Sequence, residues 1–535
     1  MAKRRRSAGR PRERRPPVAP RTEPAPAPTP AWLERGSTLA VLALYGLAFA
    51  KHIQLNAADL GRHVKNGEII LARLAVPTTN EYSYTAPDFP FLNHHWASGV
   101  LFQLVHRLGG FPALSVFAVV VAVVTCWLFY SVARRESRWD VAAVTALVML
   151  PVIASRTEIR PEMFSYLGSG AFFAVLWRWR HGAVSWRALA LLPVVEVLWV
   201  NLHLYFFLGP ILIGAFLVEA LILRLRGVGG PDPMPLVTTG AATALATLLN
   251  PAGLRGALYP FTVLENYGYD VIENQPVLVL ERLMAFAPAL YFKIAFALLV
   301  ASWLWAFFRA RRRGEEPSIA LLLLSVFVSV VAWRAVRNFT TFGWIALSTV
   351  AINLRRLPEP AWLARRRAVL VPVILFALAG VLVLLHVPYW RGQAAYTGLG
   401  LRPGNLAALD FYRSAGLRGP IFNNFDIGSY LIYGLYPAER VFVDNRPEAY
   451  PAAFFQDEVR PIQRDEERWR EAEDRYGFNV IFFSHQEHAL GKEFILRRVA
   501  DPAWAVVFID ESNIILAKRN EQNREVIQRY EVDPE

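Results

Sequence analysis

Residues 111–132 read FPALSVFAVVVAVVTCWLFYSV, an apolar run without a charged side chain. A helix that crosses the hydrocarbon core of a bilayer needs about 20 mostly apolar residues. This run therefore predicts a transmembrane helix. Similar runs recur from position 37 to position 388, and they decide the fold class.

The apolar runs predict a polytopic α-helical membrane protein with about 11 transmembrane helices. Each run is long enough, or nearly long enough, to cross a bilayer as a helix. The runs lie at 33–50, 111–132, 140–156, 162–178, 186–201, 203–223, 235–250, 288–308, 317–334, 338–354 and 368–388.

The segment FLNHHWASGVLFQLVHRL, residues 91–108, competes for one more span. Counting it would place Arg134 and Arg135 of the following loop outside the membrane, against the positive-inside rule. We therefore expect an amphipathic interfacial or re-entrant helix that does not span.

Arginine clusters predict which side of the membrane each loop faces. They follow the even-numbered runs, at 134–138, 178–187, 224–226, 309–313 and 355–367. Loops rich in arginine stay cytoplasmic, so the N-terminus is predicted to be cytoplasmic and everything after residue 388 extracytoplasmic. The expected location is the bacterial inner (cytoplasmic) membrane.

The two ends of the chain differ from its apolar middle. Residues 1–32 hold KRRR, RPRERR and PAPAPTP, which predict a disordered, basic and proline-rich cytoplasmic tail. Residues 33–388 are the predicted transmembrane domain, whose first outer loop covers 51–110. Residues 389–535 predict a small extracytoplasmic α/β domain.

Short apolar runs between turn residues predict the strands of this C-terminal domain. The stretch at 457–477, DEVRPIQRDEERWREAEDRYG, predicts a helix with a solvated face. The predicted strands are IFNNF (421–425), YLIYGLY (430–436), RVFVDNR (440–446), NVIFFS (479–484) and WAVVFI (504–509).

Composition narrows the possible partners. The net charge is +13, but the arginines form short clusters between apolar runs, which indicates topology rather than nucleic-acid binding. Cys126 is the single cysteine, so no intramolecular disulfide forms. Membrane lipids are therefore expected partners and nucleic acid is not.

Asp59 is the first candidate for chemistry. It follows the first apolar run and precedes three cationic or titratable side chains, Arg62, His63 and Lys65. A carboxylate beside cations stays ionised, so Asp59 can act as a base or bind a cationic group. The alternative is that Asp59 only caps the helix LGRHVKNGEIILAR that follows it.

Further candidates lie on the same predicted outer side. Arg160 has the planar fork that suits a lipid phosphate, although a local salt bridge with Glu158 or Glu162 would also explain it. His94, His95 and Trp96 suit a sugar pocket or an interfacial aromatic belt. Polar residues at membrane depth usually face a cavity, which makes candidates of Asn201 and His203. The spacing of His52, His63, His94 and His95 does not fit a zinc site.

The stretch FVDNR gives the C-terminal candidates Asp444, Asn445 and Arg446, with Asp426 before them. An acid and an arginine at the end of a strand are found in binding sites. The same residues also fix turns, which is the alternative here.

Several of these motifs together resemble one family. They are 59–67, Pro77, Tyr82-Ser83-Tyr84, Asn93 to Trp96, RPEMFSYL at 160–167, WVNLH at 199–203 and IFNNFDIGSYLIYGLYPAERVFVDNRPEAY at 421–450. The pattern resembles bacterial membrane glycosyltransferases of the GT-C superfamily, in an oligosaccharyltransferase- and protein-mannosyltransferase-like, uncharacterised branch.

The resemblance implies transfer of a sugar from a polyprenyl-phosphate carrier to an envelope acceptor at the outer membrane face, with inversion. Asp59 stands where the family has its first-loop acid, the general base. The family more often has D-x-D here, whereas Asn56-Ala57-Ala58-Asp59 lacks the earlier acid. No cofactor is expected, and a divalent metal stays open. The predicted substrate- or carrier-binding residues are Arg62, His63, His94, His95, Trp96, Glu158, Arg160, Glu162, Asn201 and His203.

A non-catalytic membrane scaffold or a transporter of the cell envelope is the alternative function. A transporter usually has inverted repeats with interrupted helices at matching positions. No such symmetry is visible by inspection of this sequence. An inactive scaffold would have nearly the same sequence as the enzyme, so geometry has to separate the two.

Overall fold

The computed structural model describes residues 30–57, 59–262, 268–269, 271–485 and 489–532. The predicted disordered tail lies outside the described residues except for residues 30–32. The chain is mostly helical, and the helices are numbered here in chain order.

The first half of the chain folds into eight helices and several short 3-10 turns, including Leu55–Ala57, Trp186–Ala190 and Leu204–Phe207. The helices are α1 (Ala31–Phe49), α2 (Leu60–Arg73), α3 (Trp96–Glu136), α4 (Trp139–Ile153), α5 (Glu162–Arg180), α6 (Leu191–Leu202), α7 (Leu208–Leu225) and α8 (Met234–Ala246).

Eight more helices complete the apolar part of the chain. They are α9 (Leu254–Thr262), α10 (Val277–Leu283), α11 (Ala287–Arg313), α12 (Ile319–Arg334), α13 (Phe339–Asn353), α14 (Ala361–Arg365), α15 (Arg367–Leu385) and α16 (Val387–Ala395). All eleven predicted apolar runs fall on helices, so their secondary structure was predicted correctly.

Among the described residues, four helices are long and apolar enough to cross a membrane. Shorter apolar helices are α4, α8 and α12. The count of eleven spans therefore stays a prediction. The four long helices are Trp96–Glu136, Leu204–Leu225, Ala287–Arg313 and Arg367–Leu385.

Helix α3 bends sharply between its two halves. Gly110 has a φ of 64°, a left-handed conformation that favours glycine, and the backbone at Gly109 is also non-helical. The half before the bend packs on α2, where Gly67 meets Gly99 so closely that a Cβ on Gly67 would lie 2.0 Å from the Gly99 carbonyl oxygen. The segment 91–108 is thus separated from the apolar run at 111–132. Its predicted position at the membrane surface stays a prediction.

The C-terminal segment contains a four-stranded sheet among seven short helices. The strand order is β1-β2-β4-β3, with β1 parallel to β2 and the other pairs antiparallel. The elements are α17 (Ala407–Ser414), β1 (Ile421–Asn423), α18 (Gly428–Leu435), α19 (Ala452–Phe454), α20 (Arg460–Arg464), α21 (Glu466–Tyr476), β2 (Val480–Ser484), α22 (Ala489–Val499), β3 (Trp504–Ile509), β4 (Asn513–Lys518) and α23 (Arg524–Tyr530).

Two strand predictions in this segment are wrong and one strand was missed. Residues 430–436 lie mostly in helix α18, because a short apolar run fits a buried helix as well as a buried strand. Residues 440–446 form no strand, and only Val441 makes an isolated bridge, to Ser83. Strand β4 was not predicted. The charged stretch at 457–477 is helical over most of its length, as predicted.

The C-terminal segment and the first outer loop share one hydrophobic core. Leu60 and Val64 of α2 belong to the same buried cluster as Ile427, Leu431 and Phe482. Apolar burial is the main favourable term in folding, so the two regions stabilise each other. This packing brings residues nearly 400 positions apart into one site.

Candidate active site

Asp59 lies at the start of α2, but its side chain does not cap the helix. No hydrogen bond joins its carboxylate to the backbone of the first helical turn. The Asn445 side-chain amide instead donates to Asp59 Oδ1, and Arg160 Nη1 lies 3.7 Å from Asp59 Oδ2. The capping interpretation of the Asp59 side chain is therefore wrong, and the carboxylate is oriented by residues distant in sequence.

Three arginines and two glutamates extend from this contact. Arg160 Nη1 lies 3.1 Å from Glu273 Oε1, and Arg156 Nη1 lies 2.8 Å from Glu273 Oε2. Glu162 accepts from Arg156 Nε at 3.0 Å and from Arg337 Nη2 at 2.7 Å. Burial raises the pKa of Glu273, but Arg160 and Arg156 outweigh it and hold that pKa at about 2.

The network borders a small cavity that both charged and apolar side chains line. Arg160 lines this cavity. Asp59 is not part of its lining and lies next to it, in contact with Arg160. Exposed Glu158 lines the cavity as well. Its lining is Phe49, Ala118, Val121, Ala122, Thr125, Arg156, Thr157, Glu158, Arg160, Glu162, Met163, Tyr166 and Trp344.

Several arginine N–H groups around the site have no acceptor among the described residues. They are buried atoms of four side chains that approach the site from the first loop, the 154–161 turn and the 336–338 turn. Buried donors without partners cost free energy, which a bound anion would recover. The atoms are Arg62 Nε, Arg156 Nη2, Arg160 Nε and Arg337 Nε.

Four histidines form a ring cluster next to this network. His95 stacks on His203 with centroids 5.2 Å apart and also contacts His94 and His63, at 3.8 and 5.4 Å. Burial lowers the pKa of His94 to about 4 and that of His63 and His95 well below the usual value. These three imidazoles are therefore neutral at pH 7.

The remaining predicted residues hold helices together. Trp96 Nε1 donates to Asn201 Oδ1 at 2.8 Å, and the Asn201 amide donates to two backbone carbonyls. His203 Nδ1 bonds Ser165 Oγ at 2.7 Å, and Ser165 also accepts from Trp199. Among the described residues, no three His, Cys, Asp or Glu side chains are arranged to hold a metal ion.

The sequence did not single out Arg156, Glu273 or Arg337 as site residues. A signal was available, because arginines in the loops predicted to lie outside run against the positive-inside rule. Such exceptions deserve a functional explanation when they are buried. Asn445 was noted only as part of a predicted strand end. Its hydrogen bond to Asp59 was not predicted.

Comparisons with known proteins identify the fold. No protein-family model and no curated protein matches the sequence. The archaeal oligosaccharyltransferase AglB from Archaeoglobus fulgidus, in complex with an inhibitory peptide and a dolichol-phosphate, is similar at a TM-score of 0.56 and 12% identity. That match covers 85% of this chain and 70% of AglB.

A second similar structure is ArnT from Cupriavidus metallidurans bound to undecaprenyl phosphate. Its TM-score is 0.51 at 13% identity, over 92% of this chain and 99% of ArnT. The chain therefore has the fold of GT-C membrane glycosyltransferases, as the sequence resemblance predicted. At these identities the likeness extends to the fold alone.

Proposed function

We propose that this protein is a membrane glycosyltransferase that takes a sugar from a polyprenyl-phosphate carrier and transfers it, with inversion, to an envelope acceptor at the outer membrane face. One observation carries the proposal. The Asp59 carboxylate contacts Arg160 and Asn445, beside a cavity where arginine N–H groups have no acceptor among the described residues.

The cavity suits a lipid phosphate because apolar and cationic side chains both line it. Prenyl carbons would pack against Phe49 and Val121. Arg156 and Arg160 would hold the phosphate, because guanidinium forks match phosphate oxygens. A sugar phosphate seated there would place its anomeric carbon toward Asp59.

Asp59 would then act as the general base. It accepts the proton of the acceptor group while that group attacks the anomeric carbon, and the bond from that carbon to the phosphate oxygen breaks. The bonding electrons leave with the carrier phosphate, whose growing negative charge Arg160 and Arg156 stabilise. Attack from the face opposite the phosphate inverts the anomeric centre.

The proposal includes a sidedness for the chain. Arginine clusters at the other ends of the helices indicate a cytoplasmic N-terminus, and an odd number of spans then puts the segment after residue 388 outside. Reporter fusions at residues 30 and 535 test it. Both reporters on one side of the membrane would refute the eleven-span count.

Asp59→Asn tests the chemistry. The asparagine keeps the shape of the side chain but cannot take a proton, so transfer should fall about 10²–10⁴-fold. The assay is transfer by the purified protein in liposomes, with a panel of polyprenyl-phosphate sugars and an envelope extract as acceptor. Thermal unfolding should match that of the unchanged protein.

Asp410→Asn is the matched control, because Asp410 is an exposed carboxylate of α17 whose ion pair, with Arg413 at 3.6 Å, is exposed as well. Its transfer rate should not change. Normal transfer by Asp59→Asn would remove Asp59 as the base. No transfer by the unchanged protein over the full donor panel would favour the scaffold.

A further inference from the structure

A second arginine cluster lies at the helix ends opposite Asp59. Arg180 ends α5, whereas Glu162 of the outer network begins it, so the two clusters are about 27 Å apart along that helix. Arg180, Arg309 and Arg355 line a small cavity together with Glu315. We call this cavity the inner arginine pocket.

Positive charge exceeds negative charge in the inner arginine pocket. Glu315 lies 2.9 Å from Arg309 Nη1 and 3.8 Å from Arg355 Nη2, and it also pairs with Arg356. Arg180 pairs with Glu219. Four arginines thus share two carboxylates, and Glu316, which also lines the pocket, has its own partner in Arg226 at 3.7 Å.

Glu219 is already fully used by other donors. Its Oε2 accepts from Ser318 Oγ at 2.6 Å and from the Ala320 backbone N–H at 2.7 Å, while its Oε1 faces Arg180. It therefore fixes the start of α12, and both of its oxygens already accept from these donors. In the described part of the chain, Glu315 is the carboxylate that pairs with Arg309, Arg355 and Arg356.

Two of these guanidiniums keep buried donors without an acceptor in the described part of the chain. They are Arg309 Nε and Arg355 Nε. Arg309 is only 6% exposed, so water does not easily satisfy it. A buried, charged donor without an acceptor costs free energy, which an added anion would recover.

An apolar surface continues from the pocket. A neighbouring groove shares Glu315 and Ser318 with it and is lined by Phe307, Ile319 and Leu322. The Phe307 side chain is 46% exposed. A ligand that joins an anionic head to an apolar tail would use both surfaces, because basic pockets between helices bind lipid headgroups.

We propose that the inner arginine pocket binds a phosphate group, and that an anionic phospholipid of the adjoining leaflet supplies it. Arg309 and Arg355 donate to the phosphate oxygens, and an acyl chain lies along Phe307 and Leu322. A small soluble phosphate ester shares the headgroup chemistry but gains nothing from the apolar groove. The site is separate from the proposed catalytic site.

Native mass spectrometry of the full-length protein in detergent tests the proposal. Three ligands are compared at equal concentration: dioleoyl phosphatidylglycerol, dioleoyl phosphatidylcholine and glycerol 3-phosphate. Phosphatidylglycerol should be retained most. Arg309→Gln should weaken its retention about 10–100-fold, since a charge-assisted hydrogen bond is lost.

Arg311→Gln is the matched control, because Arg311 lies two residues after Arg309 in the same helix, is exposed and carries the same charge. It should leave retention within about twofold of normal. If Arg309→Gln does not fold, Arg355→Gln replaces it, since Arg355 is 30% exposed and its contact with Glu315 is long.

Each result decides between the possibilities. One outcome is that glycerol 3-phosphate is retained as strongly as phosphatidylglycerol and that Arg309→Gln loses this retention. That outcome would support a phosphate site but would contradict a lipid as its ligand. Equal retention of phosphatidylcholine and phosphatidylglycerol, or equal losses in Arg309→Gln and Arg311→Gln, would overturn the site itself.

Discussion

Two acid–arginine pairs lie near the contact between the first outer loop and the C-terminal segment, and they differ in how far each pair is buried. Asp444 and Arg446 are 0% and 1% exposed, and two guanidinium nitrogens each lie 2.7 Å from a carboxylate oxygen. Asp59 and Arg160 are 25% and 19% exposed and 3.7 Å apart.

This difference in burial indicates that Asp444–Arg446 is a structural ion pair, called the clamp here, and that Asp59–Arg160 belongs to an accessible site. Arg446 also donates to Asn80 and lies over the rings of Tyr82 and Phe91, so it holds the first loop against the turn at 444–446. This settles the FVDNR motif in favour of its turn-fixing interpretation for Asp444 and Arg446. Arg160 Nε, by contrast, has no hydrogen-bond partner within the described ranges of the chain.

Arg446→Met should have the largest effect on stability. It leaves the Asp444 carboxylate buried without its counter-charge, which typically costs about 3–5 kcal/mol. The measurement is thermal or denaturant unfolding of the purified protein in detergent. Arg468→Met is the control, because its pair with Glu471 is about half exposed and worth at most about 1 kcal/mol. Equal losses in the two variants would erase the distinction between clamp and site.

Arg160→Lys should weaken binding of the polyprenyl-phosphate sugar and leave the free energy of unfolding nearly unchanged. Lysine keeps the charge but loses the planar fork, so we expect the KM for the polyprenyl-phosphate sugar to rise about tenfold. The control is Arg470→Lys on the exposed face of α21. A fall in stability as large as that of Arg446→Met would make the Asp59–Arg160 pair a second clamp.

Asn445→Ala should have a smaller effect, because Asn445 is a positioning residue that acts through Asp59. Losing the hydrogen bond to the carboxylate should lower kcat by about tenfold or less, with KM unchanged. Asn445→Gln should restore part of the rate. A change in KM alone would place Asn445 in substrate binding instead.

The smallest expected effect is the dependence of stability on pH. Because burial lowers the pKa of His94 to about 4 and lowers the pKa of His63 and His95, the folded protein leaves them neutral. The unfolded chain protonates them below about pH 6.5. It then binds more protons than the folded protein, so stability falls as the pH drops from about 6.5 toward 4.

The Tm measured at pH 7 and at pH 5 checks this expectation. His63→Gln should flatten the difference, because the amide does not titrate. Arg62, Arg160 and His203 surround His63 and disfavour its charged form further. An equal Tm at the two pH values would show that the cluster is solvated rather than buried.

Periodicity and run length were enough to place the helices, because a run of about 20 apolar residues has few other stable forms. The C-terminal strands were harder. Residues 430–436 are apolar on all sides and short, so neither a period of two nor a helical period distinguishes them. Burial against α2 selected the helix.

The sequence by itself determined the helical class of the apolar part, the separate character of the C-terminal segment and the importance of Asp59 as a candidate. Only the tertiary structure decided what surrounds Asp59. Its contacts with Arg160 and Asn445 span about 100 and 386 positions of the chain. Local patterns cannot encode such contacts, because they arise when the first loop and the C-terminal segment bury one shared core.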